Sequence, residues 1–295
     1  MNSNSPIKIV RAGEGEALWA MGEKLTFKLG ADDTNGIFSL AELSAQPRNG
    51  PPPHLHRHED EFFYVLNGEF AFTLGDRTIT RSKGFAISLP KGVIHAYNNI
   101  GPRPGKMLVL TTPAGFDGFV REWSHPVRTA DELPPIPGDA DVTKLLAAAP
   151  KFGVELRPSA KSWMDVSAPT PDSSYWVLGQ FLTLKLTALD TAEQLSANEI
   201  TCAPGTTVPN HIHVMMDEIF YVLEGTAEFT FGNRVEYVEQ GGLVFIPRGA
   251  ERGFRNLGSE PVKLLGIHTP AGFEGFLHDA AVPAANAPPP LPVHA

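Results

Sequence analysis

The stretch Pro51-Pro52-Pro53-His54-Leu55-His56-Arg57-His58-Glu59-Asp60-Glu61-Phe62-Phe63-Tyr64-Val65-Leu66-Asn67-Gly68 decides how the chain is read. His54 and His56 stand two apart, and in a strand such residues leave from the same face, so both imidazoles reach toward one point. The acidic run His58-Glu59-Asp60 leads into an alternating apolar strand whose first inward residue is a carboxylate, Glu61. Two neutral imidazoles and a carboxylate so spaced are the usual protein half of a divalent transition-metal site that leaves positions open for substrate or dioxygen. Taken alone, the stretch also reads as a surface histidine cluster after a Pro-rich turn.

Working outward, Ala17 to Leu29 alternates and reads as strands broken near Gly22, and Gly36 to Ala45 repeats the pattern. Asn67-Gly68 is a hairpin turn joining Glu61–Leu66 to Glu69–Leu74. Short strands at Thr78–Thr80, Phe85–Leu89, His95–Asn98 and Met107–Thr111 follow, with tight turns at Gly75-Asp76 and Pro90-Lys91-Gly92. One constant shift then lays the chain on itself: Trp19 meets Trp176, His54 meets His211, Glu61 meets Glu218, and Gly68 meets Gly225. The register does not slip before Thr112-Pro-Ala-Gly-Phe116 meets Thr269-Pro-Ala-Gly-Phe273. A gapless repeat of this length means two copies of one all-β unit, which argues against the reading of His54 and its neighbours as a chance cluster.

Expected boundaries are 1–125 for the first barrel, 126–168 for a Pro-rich linker, and 169–295 for the second barrel with its Ala/Pro-rich tail, irregular or an arm. Within the linker, Asp141 to Ala149 reads as one short helix stopped by Pro150. Apolar residues at 42% and charged ones at 19% suit a folded soluble chain, and 295 residues suffice for two ordinary cores. A net charge of -9 without a Lys/Arg block argues against nucleic acid or an anionic membrane as partner. Cys202 is the single cysteine, and the opening MNSNSPIKIV has no basic-then-apolar pattern, so a cytoplasmic protein without disulfides or membrane spans is expected.

Both copies resemble the cupin superfamily. Its first motif, G-x5-H-x-H-x3,4-E-x6-G, is met by Gly205, His211, His213, Glu218 and Gly225, while the first copy has Arg48 in place of the opening glycine. Its second motif, G-x5-P-x-G-x2-H-x3-N, is met by Gly84, Pro90, Gly92, His95 and Asn99, while the second copy has Arg252 in place of the histidine. The resemblance implies two tandem double-stranded β-helix (jelly-roll) barrels joined by the helix-bearing linker. It makes His54, His56, Glu61 and His95 the ligands of an N-terminal metal, with Fe, Mn, Ni, Co or Cu all admissible. His211, His213 and Glu218 form a C-terminal triad that is either a three-ligand site or one degenerated to an Arg252–Glu218 pair, since a guanidinium cannot ligate. His268 reads first as a core residue and second as a replacement ligand. Alternation carries Phe63, Tyr97, Phe72 and Met107 toward the first barrel's pocket, although any barrel fills its interior with such residues.

Among two-barrel cupins the chain is similar to the quercetin 2,3-dioxygenase group, in which a T-P-A-G-F segment follows the last barrel strand. That implies a small aromatic or enolic substrate and O2 as partners, with Glu61 both ligand and acceptor of the substrate's hydroxyl proton. The rival readings are another metal-cupin enzyme such as an oxalate decarboxylase, a non-catalytic small-molecule-binding bicupin, and a sensor. An oxalate decarboxylase needs a cation beside the metal, and a sensor needs a DNA-binding helix pair; neither stands out in the motifs. Exposed sheet edges make a homodimer one expectation, though two copies in one chain can also cover such edges.

Overall fold

The computed structural model describes residues 6–157 and 173–284. The chain divides into two compact units, Gly15–Ala168 and a second made of Met1–Glu14 with Pro169–Ala295. In the first, a seven-stranded sheet runs in the order His125–Pro126, Glu16–Ala20, Glu23–Leu29, Ser39–Ala45, Gly105–Thr112, Asp60–Asn67, Ala86–Leu89. A five-stranded sheet has the order Val154–Leu156, His54–His56, His95–Asn99, Glu69–Leu74, Arg77–Ser82. Every described pairing is antiparallel, so each strand turns one alternate set of side chains inward.

The repeat is visible strand by strand. Asp60–Asn67 corresponds to Asp217–Glu224, Glu69–Leu74 to Thr226–Phe231, and Gly105–Thr112 to Val262–Thr269. The short helix Phe116–Trp123, which alternation did not announce, has its counterpart in Phe273–Ala280. Both follow a T-P-A-G segment whose glycine precedes the first helical residue. The first core is rich in aromatic residues, with Phe63, Phe70, Phe72 and Tyr97 mutually packed at centroid separations of 5.4–6.3 Å. The second is built on Phe220, Phe229 and Phe254.

Two boundaries differ from the sequence reading. The opening strand Lys8–Val10 pairs with Leu243–Ile246 of the C-terminal unit, Lys8 opposite Phe245, because its ladder groups find partners on that sheet edge. The stretch expected as a linker belongs to the first unit: Ala148 and Ala149 join its core, and Val154–Leu156 adds a strand directly against His54–His56. The expected helix spans Asp139–Ala148. It starts two residues early because Gly138 is the cap and its N–H is accepted by the Asp141 carboxylate at 2.9 Å. Residues 158–168 of the expected linker, residues 169–172 that open the expected second barrel, and the tail from 285 onward lie outside the described residues.

Candidate metal centre

His54 and His56 leave one short strand, His95 stands opposite His54 on the next, and Glu61 comes from the facing sheet, paired with Leu89 and Thr111. The four side chains are buried and bring ligand atoms within 4.8 Å of one another. Glu61 Oε2 lies 2.9 Å from His95 Nε2 and 3.7 Å from His56 Nε2. His54 and His95 ring centroids are 4.4 Å apart.

Which nitrogen faces inward is set by what the other one touches. His54 donates Nδ1–H to the Pro52 carbonyl at 3.0 Å, and His95 donates Nδ1–H to that of Val93 at 3.0 Å. A carbonyl only accepts, so both rings present a bare Nε2 to the centre. His56 Nδ1 lies 3.5 Å from Glu59 Oε2, outside hydrogen-bond geometry but near enough for the carboxylate to favour a proton on that nitrogen. Gly115, from the T-P-A-G-F segment, makes room for that carboxylate, since a Cβ there would sit 2.8 Å from Glu59 Oε1. Phe116 then packs edge-on to His56 at 5.9 Å.

This donor set fits a cation. A bare Nε2 facing a carboxylate at 2.9 Å sets two acceptors against each other, and His56 Nε2 is buried with no hydrogen-bond partner. Ligand bonds of about 2.1 Å put neighbouring ligand atoms about 3 Å apart, the separation at which Glu61 Oε2 and His95 Nε2 stand, 2.9 Å. The charges agree. Burial, with His95 and His56 next to it, pushes His54 down to about 3. Burial opposes charge on Glu61, but His56 and the other two imidazoles outweigh it and lower it to about 2. Burial likewise opposes charge on His56, and Glu61 and Glu59 together outweigh it and raise that group.

A cavity of about 670 Å3 opens on the cluster, with His54, His56 and Glu61 in its wall. Phe63 and Tyr97 line it. Phe72 and Met107 do not: both are sealed in the core, at 1% and 0% exposure. The register explains this, because Val109 pairs with Phe63, one inward step from Glu61, while Met107 pairs with Val65, two steps down. Phe72 is locked among Phe63, Phe70 and Phe85. Among the contributors that sequence reading missed are Glu23, Phe119, Trp123 and the Pro134–Pro137 segment, which all line the cavity. Glu23 and Glu59 carried no motif; only their burial in the fold gives them away.

In the C-terminal unit the corresponding groups are already occupied. Glu218 Oε2 accepts from Arg252 Nε at 2.7 Å and lies 2.7 Å from Nη2, while Oε1 meets His268 Nε2 at 2.9 Å. Arg252 is 1% exposed. Burial would raise Glu218, but His268 and Arg252 outweigh it and hold it at about 2. His213 stands 3.9 Å from Glu218, and burial lowers it to about 4. His211 falls outside the group of close ligand atoms, its Nδ1 tied to the Pro209 carbonyl at 2.8 Å. His268, read first as a core residue, replaces it in the His213/Glu218/His268 group. Its ring stacks on Phe273 at 4.0 Å.

The cupin domain model matches residues 42–111 and again 198–268, spanning both strand sets and both His/Glu groups. The chain is a two-domain cupin protein. It is 22% identical over 293 residues to the quercetin 2,3-dioxygenase of Bacillus subtilis, covering 93% of this chain and 86% of that one. Among solved structures it resembles Bacillus subtilis oxalate decarboxylase described for its Mn(II) centres, with TM-score 0.62, 13% identity, and 98% and 83% of the two chains covered. A tryptophan-to-phenylalanine variant of that enzyme gives TM-score 0.63 at 14% identity, covering 92% and 79%. At such identity these structures establish the bicupin fold. No helix among the described residues is long and apolar enough to cross a membrane.

Proposed function

We propose that the N-terminal barrel is a metal-dependent dioxygenase of the quercetinase type, which opens the ring of a flavonol or related enolic aromatic by inserting O2. The observation carrying this reading is the juxtaposition of a buried His54/His56/Glu61/His95 cluster with a large cavity whose wall is Leu25, Leu43, Phe63, Val109, Phe119 and similar residues. About 670 Å3 suits a flat multi-ring molecule. The full-length similarity to a quercetin 2,3-dioxygenase supports it. The same four side chains would hold the metal, which when bound supplies Lewis acidity toward an enolic hydroxyl and electronic access to dioxygen.

The chain's own residues supply the rest. Glu61, ionised at neutral pH, accepts the substrate's hydroxyl proton beside the cluster. The aromatic wall holds the rings and excludes water. Oxalate fits less well, because among the described residues the only Lys or Arg lining the cavity is Arg48, an exposed residue. The C-terminal barrel, its Glu218 taken by Arg252 and His268, serves the fold and holds no metal. Metal analysis and oxygen-uptake assays with a flavonol panel and oxalate test this. One metal per chain with flavonol-dependent uptake is expected; protein that binds no added Fe, Mn, Ni, Co or Cu refutes it.

A further inference from the structure

Glu23 opens the second strand of the hairpin that turns at Met21-Gly22 and is 6% exposed, yet it lies in the cavity wall. Its Oε2 accepts the Tyr97 hydroxyl at 2.8 Å, and its Oε1 is buried without a partner. Leaving a buried carboxyl oxygen unsatisfied is costly unless something else meets it. The repeat shows that the fold does not require this pairing. At the corresponding places the C-terminal barrel has Gln180 and Phe254, both buried, in strands of the same register. The barrel that lost the four-ligand cluster thus also lacks the carboxyl and the hydroxyl, and still folds alike.

Tyr97 is two residues beyond His95 on one strand, so its side chain enters on the same face about 7 Å further along. We propose that Glu23, braced by Tyr97, is a second polar anchor of this cavity, binding through Oε1 a hydroxyl on the end of a multi-ring aromatic ligand remote from the metal cluster. The inference rests on the cavity reading above and deepens it by naming the substrate class: a hydroxylated aromatic carrying oxygen at both ends. A small dicarboxylate cannot span the two anchors.

The test is anaerobic binding to the full chain, followed by quenching of tryptophan fluorescence, for which Trp123 in the cavity wall is a built-in reporter. The probes are the parent flavonol, whose one hydroxyl is enolic, and its monohydroxylated derivatives on each outer ring. Wild type is expected to bind one of the derivatives about 10-fold tighter than the parent, the size of one well-made buried hydrogen bond. Glu23→Met should bring that ratio to about 1, and Glu23→Gln, which still offers a donor, should retain it. Glu23→Leu takes over if the Met variant does not fold. A ratio that survives Met or Leu, or no preference in wild type, overturns the anchor. Flavonol turnover without a Glu23-dependent preference sinks the anchor alone. A Glu23-dependent preference without oxygen uptake sinks the dioxygenase reading and leaves the anchor.

Discussion

Replacing Arg252 by Met tests whether the C-terminal barrel has exchanged a metal for an internal ion pair. Arg252 and Glu218 are 1% and 3% exposed, and both Nε and Nη2 lie 2.7 Å from Oε2. Removing one partner of such a pair leaves an uncompensated buried charge and costs about 3–5 kcal/mol, whereas replacing both with uncharged groups is often nearly neutral. Arg252→Met should therefore destabilise this unit by about 4 kcal/mol. With a urea slope of about 2 kcal/mol/M, its midpoint falls by about 2 M. Adding Glu218→Gln should restore most of the loss.

A chain of two units need not unfold in one step, so the assay must report on one of them. Cys202 serves: it is 1% exposed, belongs to the C-terminal core, and burial pushes its thiol up to about 12. Its labelling by a thiol reagent as urea rises follows the opening of that core. The acid side gives a further check, with the sign fixed by Glu218. Its folded value of about 2 lies below the ordinary 4.5, so its contribution is present above pH 4.5 and lost as pH falls toward 2. The variant should lose only the part of that acid-sensitive portion that Arg252 supplies, His268 keeping the rest. Arg252→Met within about 1 kcal/mol of wild type, or a double variant no better than the single one, refutes the reasoning.

His95→Ala should abolish metal uptake, measured by elemental analysis, while Arg252→Met leaves it unchanged at one per chain. Glu59→Gln, which weakens the contact to His56, should lower metal affinity about 10–100-fold in a competitive chelator titration without unfolding the protein. Glu23 is raised by burial to about 8, against the lowering effect of Tyr97. The unfolded chain therefore releases this proton first, and stability contributed here falls as pH rises from 4.5 to 8, on the order of 1.4 kcal/mol per unit. Glu23→Gln should flatten that slope in urea midpoints, and an unchanged slope refutes the assignment. Native Cys202 should resist alkylation at about pH 8 and react on denaturation, as mass spectrometry would show.

How much of this was legible follows from the kind of signal each residue carries. Strand periodicity and the gapless repeat located the barrels, because alternation is imposed by burial on one face and both copies obey it. His54, His56, Glu61 and His95 were legible because their spacing is the geometry. Glu23 and Glu59 were not: a carboxylate in an acidic run or at a hairpin has no spacing that announces burial. The pairing of Lys8–Val10 with the C-terminal sheet and the docking of Val154–Leu156 beside His54–His56 escaped because short segments of three residues carry too little pattern to assign a partner. Phe72 and Met107 were misplaced because alternation tells which side of a strand a residue faces and not how deep it lies.

Aligned by the repeat, five of the positions at which the two barrels differ lie in or beside these sites: Glu23 against Gln180, Glu59 against Met216, His95 against Arg252, Tyr97 against Phe254, and Thr111 against His268. Each difference acts in one direction. In the first barrel a carboxylate lies beside His56, a third imidazole completes the cluster, Thr111 bonds to Ser39 at 2.8 Å, and a braced carboxyl keeps one buried oxygen without a partner. In the second, the carboxylate beside the histidine is gone, and Arg252 and His268 close on Glu218 from both sides. Arg252 alone would leave Oε1 unmet, and His268 alone would leave a buried carboxylate without a permanent counter-charge. The two together satisfy it, which is why the loss of a ligand histidine need not leave a hole in the barrel and why chemistry is expected beside His54 and not beside His211.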